Sequence, residues 1–231
     1  MKLLKFVSVL TAAVAVLGMG EALSVSCHAD EMLDGDYSYE EGAPFVPYDC
    51  APDEKNSRTI IRRVYDPGYY GTLAVTPFQQ ENGHYCGPAT TRQVIDYLNG
   101  SSASQDTYAR LLGTTSQGTE MPKIRDVLNQ KTSKTYRYNQ IGSESTWMNR
   151  IETDIKKEKP VVLDIKASNT SEWPYTTKGH YINTSGIDSK TGHDVRIRIT
   201  DPYWKAFGNR WCTADELYNV NSNHFRQAMI W

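Results

Sequence analysis

The feature that most restricts the fold is a change of period at Pro160. Before it, apolar residues recur at helical spacing. Ala89, Val94, Ile95 and Leu98 mark a helix over 87–98 that Asn99-Gly100 stops, with Pro88 suited to its first turn. Further helices are predicted over 105–112, ended by Gly113, over 122–130, and over 146–157, where Trp147, Ile151 and Ile155 stand at i, i+4 and i+8. After Pro160 the spacing becomes strand-like. Residues 161–165, 181–187 and 195–199 read as strands, the last two joined by a turn over 190–193. A short helix over 213–220 follows, with Thr213 as N-cap and Glu216 completing a capping box, and then a closing strand over 225–231. A further short strand is predicted over 72–77. Helices first and an antiparallel sheet second define an α+β fold.

The 231 residues suffice for one sizeable core. A formal charge of -2 gives no basic face for a nucleic-acid partner. Lys2 and Lys5 followed by an apolar run over 6–17 read as an export signal, too short for a membrane span. Cleavage after Ala29 is expected, with Ala22 as the alternative. Ser24 stands where lipid attachment at Cys27 would call for an aliphatic residue. The signal, residues 1–29, predicts a secreted protein, with cell-wall association open and a Gram-positive origin suggested by its style. Residues 30–58 are acidic and rich in Tyr and Pro, without an apolar period, and read as an arm, a linker or a pro-segment over the cleft. Residues 59–231 form the folded domain, starting near Ile60, Ile61 and Val64. Cys50, Cys86 and Cys212 remain after cleavage, an odd number. If Cys86 stays free, Cys50 and Cys212 are left to pair.

Four residues are candidates for chemistry. Cys86 lies in Tyr85-Cys86-Gly87-Pro88-Ala89, at the start of a helix. A thiol there meets unpaired N–H groups and the positive end of the helix dipole, conditions that favour the nucleophilic thiolate. His180 follows Gly179 at a strand start, where sheet pairing can hold a base. Asp201 follows the strand over 195–199 and precedes Pro202; it can orient an imidazole if that strand pairs with the one carrying His180. Gln80, six residues before Cys86, can supply an amide donor to an oxyanion, with Gln79 as its rival. Each signal is weak alone. Gln, Cys, His and Asp in this order are what a cysteine hydrolase needs.

Gln80 through Ala89, Gly179 through Asp188, and Ile199-Thr200-Asp201-Pro202-Tyr203-Trp204 together resemble family thirty-nine of the cysteine peptidases. These are the double-glycine-leader, bacteriocin-processing peptidases and their stand-alone secreted relatives, of papain-like fold. The resemblance covers residues 72–231. It implies Cys86 as nucleophile, His180 as general base and acid, Asp201 as orienter and Gln80 as oxyanion donor. It also implies acyl transfer through a thioester, with no cofactor and no metal. The best-known members are fused to a membrane transporter and trim leaders on the cytoplasmic side. This chain carries an export signal and no spans, so leader processing does not carry over.

The expectation is a secreted peptidase acting on peptides or proteins, including cell-wall peptides. The rivals are a cell-wall amidopeptidase or a transglutaminase-like acyl-transferase on a similar fold, and a catalytically silent binding module. Trp173, Tyr175, Tyr203 and Trp204 flank the histidine and aspartate segments; they look exposed and suited to line a peptide cleft, with burial in the core as the alternative. The oligomeric state is not encoded in these patterns.

Overall fold

In a computed structural model, which describes residues 68–168 and 173–231, the change of period at Pro160 divides helices from sheet. A short strand, β1 (Tyr70–Thr72), precedes three helices: α1 (Cys86–Asn99), α2 (Gln105–Leu112) and α3 (Met121–Lys131). β2 (Tyr138–Gln140) and α4 (Glu144–Lys156) follow. Then come β3 (Val161–Ala167), β4 (Thr177–Asp188), β5 (Arg196–Asp201), β6 (Gly208–Thr213), α5 (Ala214–Ser222) and β7 (Ala228–Ile230). The strands form one sheet in the order β2-β7-β3-β4-β5-β6, with β1 also on β4. All its pairings are antiparallel.

Helices cover both faces of this sheet. Val94, Ile95, Leu112, Ile124 and Leu128 of α1–α3 pack with Val162, Tyr181 and Ile230. Trp147, Ile151 and Ile155 of α4 and Leu217 and Val220 of α5 pack with Leu163, Ile165, Ile182 and Ile197. The period of two separates the sets: Val162 from Val161 and Leu163, Tyr181 from Ile182, and Ile230 from Met229. Double coverage explains why β3 is nearly continuous in apolar residues. Each such fully buried side chain stabilises by roughly 1.5–3 kcal/mol.

Polar groups fix α1 on the sheet. The Thr90 hydroxyl donates to the Tyr181 carbonyl at 2.9 Å. The Gln93 amide donates to the Phe78 carbonyl at 3.1 Å and accepts from Asn183 at 2.7 Å. All three side chains are buried. They set the rotation of α1 against β4, which packing of aliphatic groups alone leaves loose. Gly87 completes the fit, because a β-carbon there would overlap the side chain of Thr119.

Several expectations change. Residues 72–77 are not a strand. β1 ends at Thr72, and the carbonyls of Leu73 and Val75 accept from the Arg198 and Asn209 side chains instead of a neighbouring strand. The closing strand shrinks to Ala228–Ile230, because residues 224–227 turn, with Gln227 at φ 45°. β4 begins at Thr177, so His180 is its fourth residue and not its first. β2 and β6 lack a sequence signal: β2 has three residues, and β6 alternates only weakly. The helix ends agree closely. Gly100 and Gly113 take the left-handed conformation that stops α1 and α2, and Thr213 caps α5 through the Glu216 N–H.

The export signal, the acidic arm, the start near Ile60 and the Cys50 half of the suggested disulfide lie outside the described residues. Cys212 is buried, with its sulfur 3.6 Å from the Ile197 carbonyl. Among the described residues no helix is long and apolar enough to cross a membrane.

Thr90→Val keeps the volume but removes the buried hydroxyl that donates to the Tyr181 carbonyl. Urea unfolding of this variant is expected to lose about 1–3 kcal/mol of stability. Unchanged stability would show that Thr90 does not anchor α1.

Candidate active site

β4 outruns β5 at one end. Their pairing begins at Asn183 with Thr200, so His180 lies beyond the ladder, near where β5 finishes in Asp201. The two side chains meet there. His180 Nε2 donates to Asp201 Oδ1 at 2.9 Å, and both groups are buried. With Nε2 engaged, Nδ1 is the nitrogen left for Cys86, which lines the same cleft and adds to the upward shift of the ring. Cys86 opens α1, and Tyr85 before it contributes no side-chain cap. The first turn holds no acidic residue that would compete for the positive helix end.

Burial works against a charged imidazole at this position. The Asp201 charge and hydrogen bond outweigh it, with Cys86 adding in the same sense, and hold the His180 proton up to about pH 10. Asp201 is itself tightly partnered. Its Oδ1 also accepts from the Tyr203 N–H at 2.9 Å, and its Oδ2 accepts from the Tyr175 hydroxyl at 2.7 Å. The Arg210 guanidinium is 3.8 Å from Oδ2.

Gln80 is buried beside this group, whereas Gln79 is exposed and engages Gln105 only through its backbone carbonyl. The Gln80 N–H donates to the Pro202 carbonyl at 2.9 Å, tying the glutamine loop to the aspartate segment. Its amide nitrogen gives one hydrogen to the Asn82 carbonyl at 2.8 Å, which leaves the second for a ligand. A cleft of about 550 Å³ opens over these groups, lined by Gln80, Cys86, Tyr175, Lys178, His180 and Tyr203 among others. All four sequence candidates are therefore together: three line the cleft, and Asp201 sits behind His180.

The aromatic residues need correction. Trp173 and Tyr175 are buried, not exposed. Tyr175 meets the His180 ring edge-on and Tyr203 packs on both. Trp204 is 60% exposed and does not line the cleft. Tyr175 was missed as a partner of Asp201; the signal was an aromatic residue five positions before His180. Thr90 and Gln93 were missed too, although they share the helical face of Cys86 by their spacing. His224 is fully buried near Asp164 and Arg226. Burial pushes it down to about 4, opposed by Asp164 and helped by Arg226, so it is neutral and lies off the cleft. Among the described residues no cluster of three or more metal-ligating side chains occurs.

A family model described as "Peptidase_C39 like family" matches residues 72–228. The chain belongs to that family. It is a cysteine-type peptidase of papain-like fold. Solved structures with similar folds include the peptidase domain of Streptococcus ComA, a bifunctional ABC transporter involved in quorum sensing. It is 15% identical, with 68% of this chain and 96% of that one covered and a TM-score of 0.47. Bromelain from Ananas comosus in complex with E64 is 12% identical over 68% of this chain and 93% of that one, with a TM-score of 0.48. The ragweed cysteine protease Amb a 11 in its proform is 9% identical over 74% and 66%, with a TM-score of 0.50. A search of curated proteins finds no match.

The raised His180 value has a consequence for stability. The folded peptidase keeps this proton up to about pH 10, and an unfolded histidine releases it near 6.5. The stabilisation is complete below about pH 6.5 and is lost as pH rises through about 10. Urea unfolding at steps across that window is expected to show stability falling with pH, and Asp201→Asn should flatten the slope. Equal slopes in the two proteins would contradict the assignment.

Proposed function

We infer that this peptidase is exported and cleaves peptide bonds with Cys86 as nucleophile, His180 as general base and acid, Asp201 as orienter and Gln80 as oxyanion donor. The observation that carries the reading is the buried His180–Asp201 pair with Cys86 beside it on the same cleft. Its substrate is a peptide or protein outside the cell, cell-wall peptides included. The export signal over 1–29 is the basis for that location.

The chemistry follows from the geometry. The Cys86 sulfur, its proton passed to His180 Nδ1, attacks the carbonyl carbon of a peptide bond and forms a C–S bond. The carbonyl oxygen becomes an oxyanion. The Cys86 backbone N–H, which at the first helical position has no partner within the helix, and the second hydrogen of the Gln80 amide are its donors. The intermediate collapses, the C–N bond breaks, and His180 gives its proton to the departing amine. The thioester that remains is attacked by water, which loses a proton to the neutral imidazole. The C–S bond then breaks, returning the proton to the Cys86–His180 pair. Asp201 keeps the ring turned with Nδ1 toward sulfur throughout.

A peptide library read by mass spectrometry tests the reading. The mature chain should release fragments, and Cys86→Ala should release none. Gln80→Ala should lower kcat by about 10²–10³ with little change in KM, as loss of one oxyanion donor does. Cleavage that survives Cys86→Ala would overturn the reading.

A further inference from the structure

Tyr175 has no role in the chemistry above, yet it holds the acid at the back of the site. We propose that Tyr175 is a positioning residue: its hydroxyl pins Asp201 Oδ2 so that Oδ1 stays on His180 Nε2. The inference rests on the Cys86–His180–Asp201 reading and extends it to a fourth side chain.

Asp201 has two oxygens with different tasks. Oδ1 accepts from His180 and from the Tyr203 N–H. Oδ2 accepts from Tyr175 at 2.7 Å, the shorter contact expected of a hydroxyl on a carboxylate. Arg210 lies 3.8 Å from Oδ2, beyond hydrogen-bond distance. Without the hydroxyl, Oδ2 is a buried carboxylate oxygen whose nearest cation is Arg210. Turning toward it would draw Oδ1 off the imidazole. The Tyr175 hydroxyl holds the carboxylate against that rotation.

The tyrosine is fixed in turn. Its ring lies 4.7 Å from that of Tyr203 and edge-on to His180 at 5.7 Å and 90°. Two residues earlier, Trp173 carries the Arg210 guanidinium 4.3 Å over its ring, which clasps this segment to β6. Burial, then the Asp201 charge and hydrogen bond, raise Tyr175 well above the usual phenol range, so it remains a donor through neutral pH. The ionisable groups around the pair are Cys86 from α1, Arg210 from β6, Tyr175 and Tyr203 beside the ring, and Lys178 of β4 on the cleft wall. A buried tyrosine hydroxyl also seeks a partner for solvation alone. A merely structural Tyr175 would affect unfolding and leave the thiol and imidazole untouched.

Tyr175→Phe in the full chain keeps the ring and removes only the hydroxyl. Iodoacetamide is the probe of Cys86, and the His180 Nε2–H proton resonance is the probe of the bond to Asp201. In the variant the alkylation rate at pH 7 is expected to fall roughly tenfold, the scale of one hydrogen bond to a charged group. The resonance should broaden or vanish. An unchanged rate and resonance, with or without a lower melting temperature, would overturn the proposal. Wild type and His180→Ala in the same assay separate the two levels. Equal rates in those two would refute the Cys86–His180 pair and this proposal with it. A slower His180→Ala beside an unaltered Tyr175→Phe would refute the positioning role alone. In the wild type, a slowly exchanging Tyr175 hydroxyl proton with a nuclear Overhauser effect to the His180 ring is also expected. A freely exchanging hydroxyl would count against the role without any variant.

Discussion

The buried contact between His180 and Asp201 is the interaction on which the rest of this site depends. A carboxylate and an imidazole removed from water are costly groups unless each is paired and fully hydrogen-bonded. Here the acid receives His180, the Tyr203 N–H and the Tyr175 hydroxyl, with Arg210 nearby. That set fixes the carboxylate where its charge and hydrogen bond hold the His180 proton, and the imidazole then has one nitrogen to offer Cys86. A second histidine–acid contact makes the contrast clear. His224 is 3.5 Å from Asp164, but Arg226 takes the charge of that acid at 2.8 Å, and the imidazole stays neutral.

The fold serves this contact by bringing three chain segments to one end of the sheet. β5 stops at Asp201, while β4 extends beyond its last pairing with β5 and places His180 beside the end of β5. α1 arrives from one face with Cys86 at its first position, its rotation fixed by Thr90 and Gln93 against β4 and the Phe78 carbonyl. The glutamine loop is drawn in by the bond from the Gln80 N–H to the Pro202 carbonyl. Each attachment is a polar bond, and such bonds are directional where aliphatic packing is not. The same aliphatic packing supplies the stability, on both faces of the sheet.

Much of this was legible before the fold was known, for physical reasons that can be named. α1 and α4 were clear because an amphipathic helix writes its buried face into the spacing of Val94, Ile95, Trp147, Ile151 and Ile155. β3 and β5 were clear because runs of branched residues tolerate little else. The four candidate residues could be picked because a nucleophile, a base, an orienter and an amide donor are chemically distinct types in a constrained order. β6 and β2 were not legible, since short strands held by neighbours carry little pattern of their own. The end of the strand over 72–77 was misread because its carbonyls are satisfied by Arg198 and Asn209 side chains, which no local period records. Trp173 and Tyr175 are buried where the sequence suggests exposure. Their burial follows from contacts with Arg210, Asp201 and His180, which lie 5 to 37 positions away in sequence and meet only in the fold.

The central claim is that Asp201 keeps His180 protonated beside Cys86. An NMR titration of the His180 ring in the wild-type protein reads this directly. The account predicts an imidazolium that persists through neutral pH and loses its proton only near 10. A transition at or below the ordinary histidine value of about 6.5 would mean that burial, and not the Asp201 charge, governs the ring, and the account would be wrong.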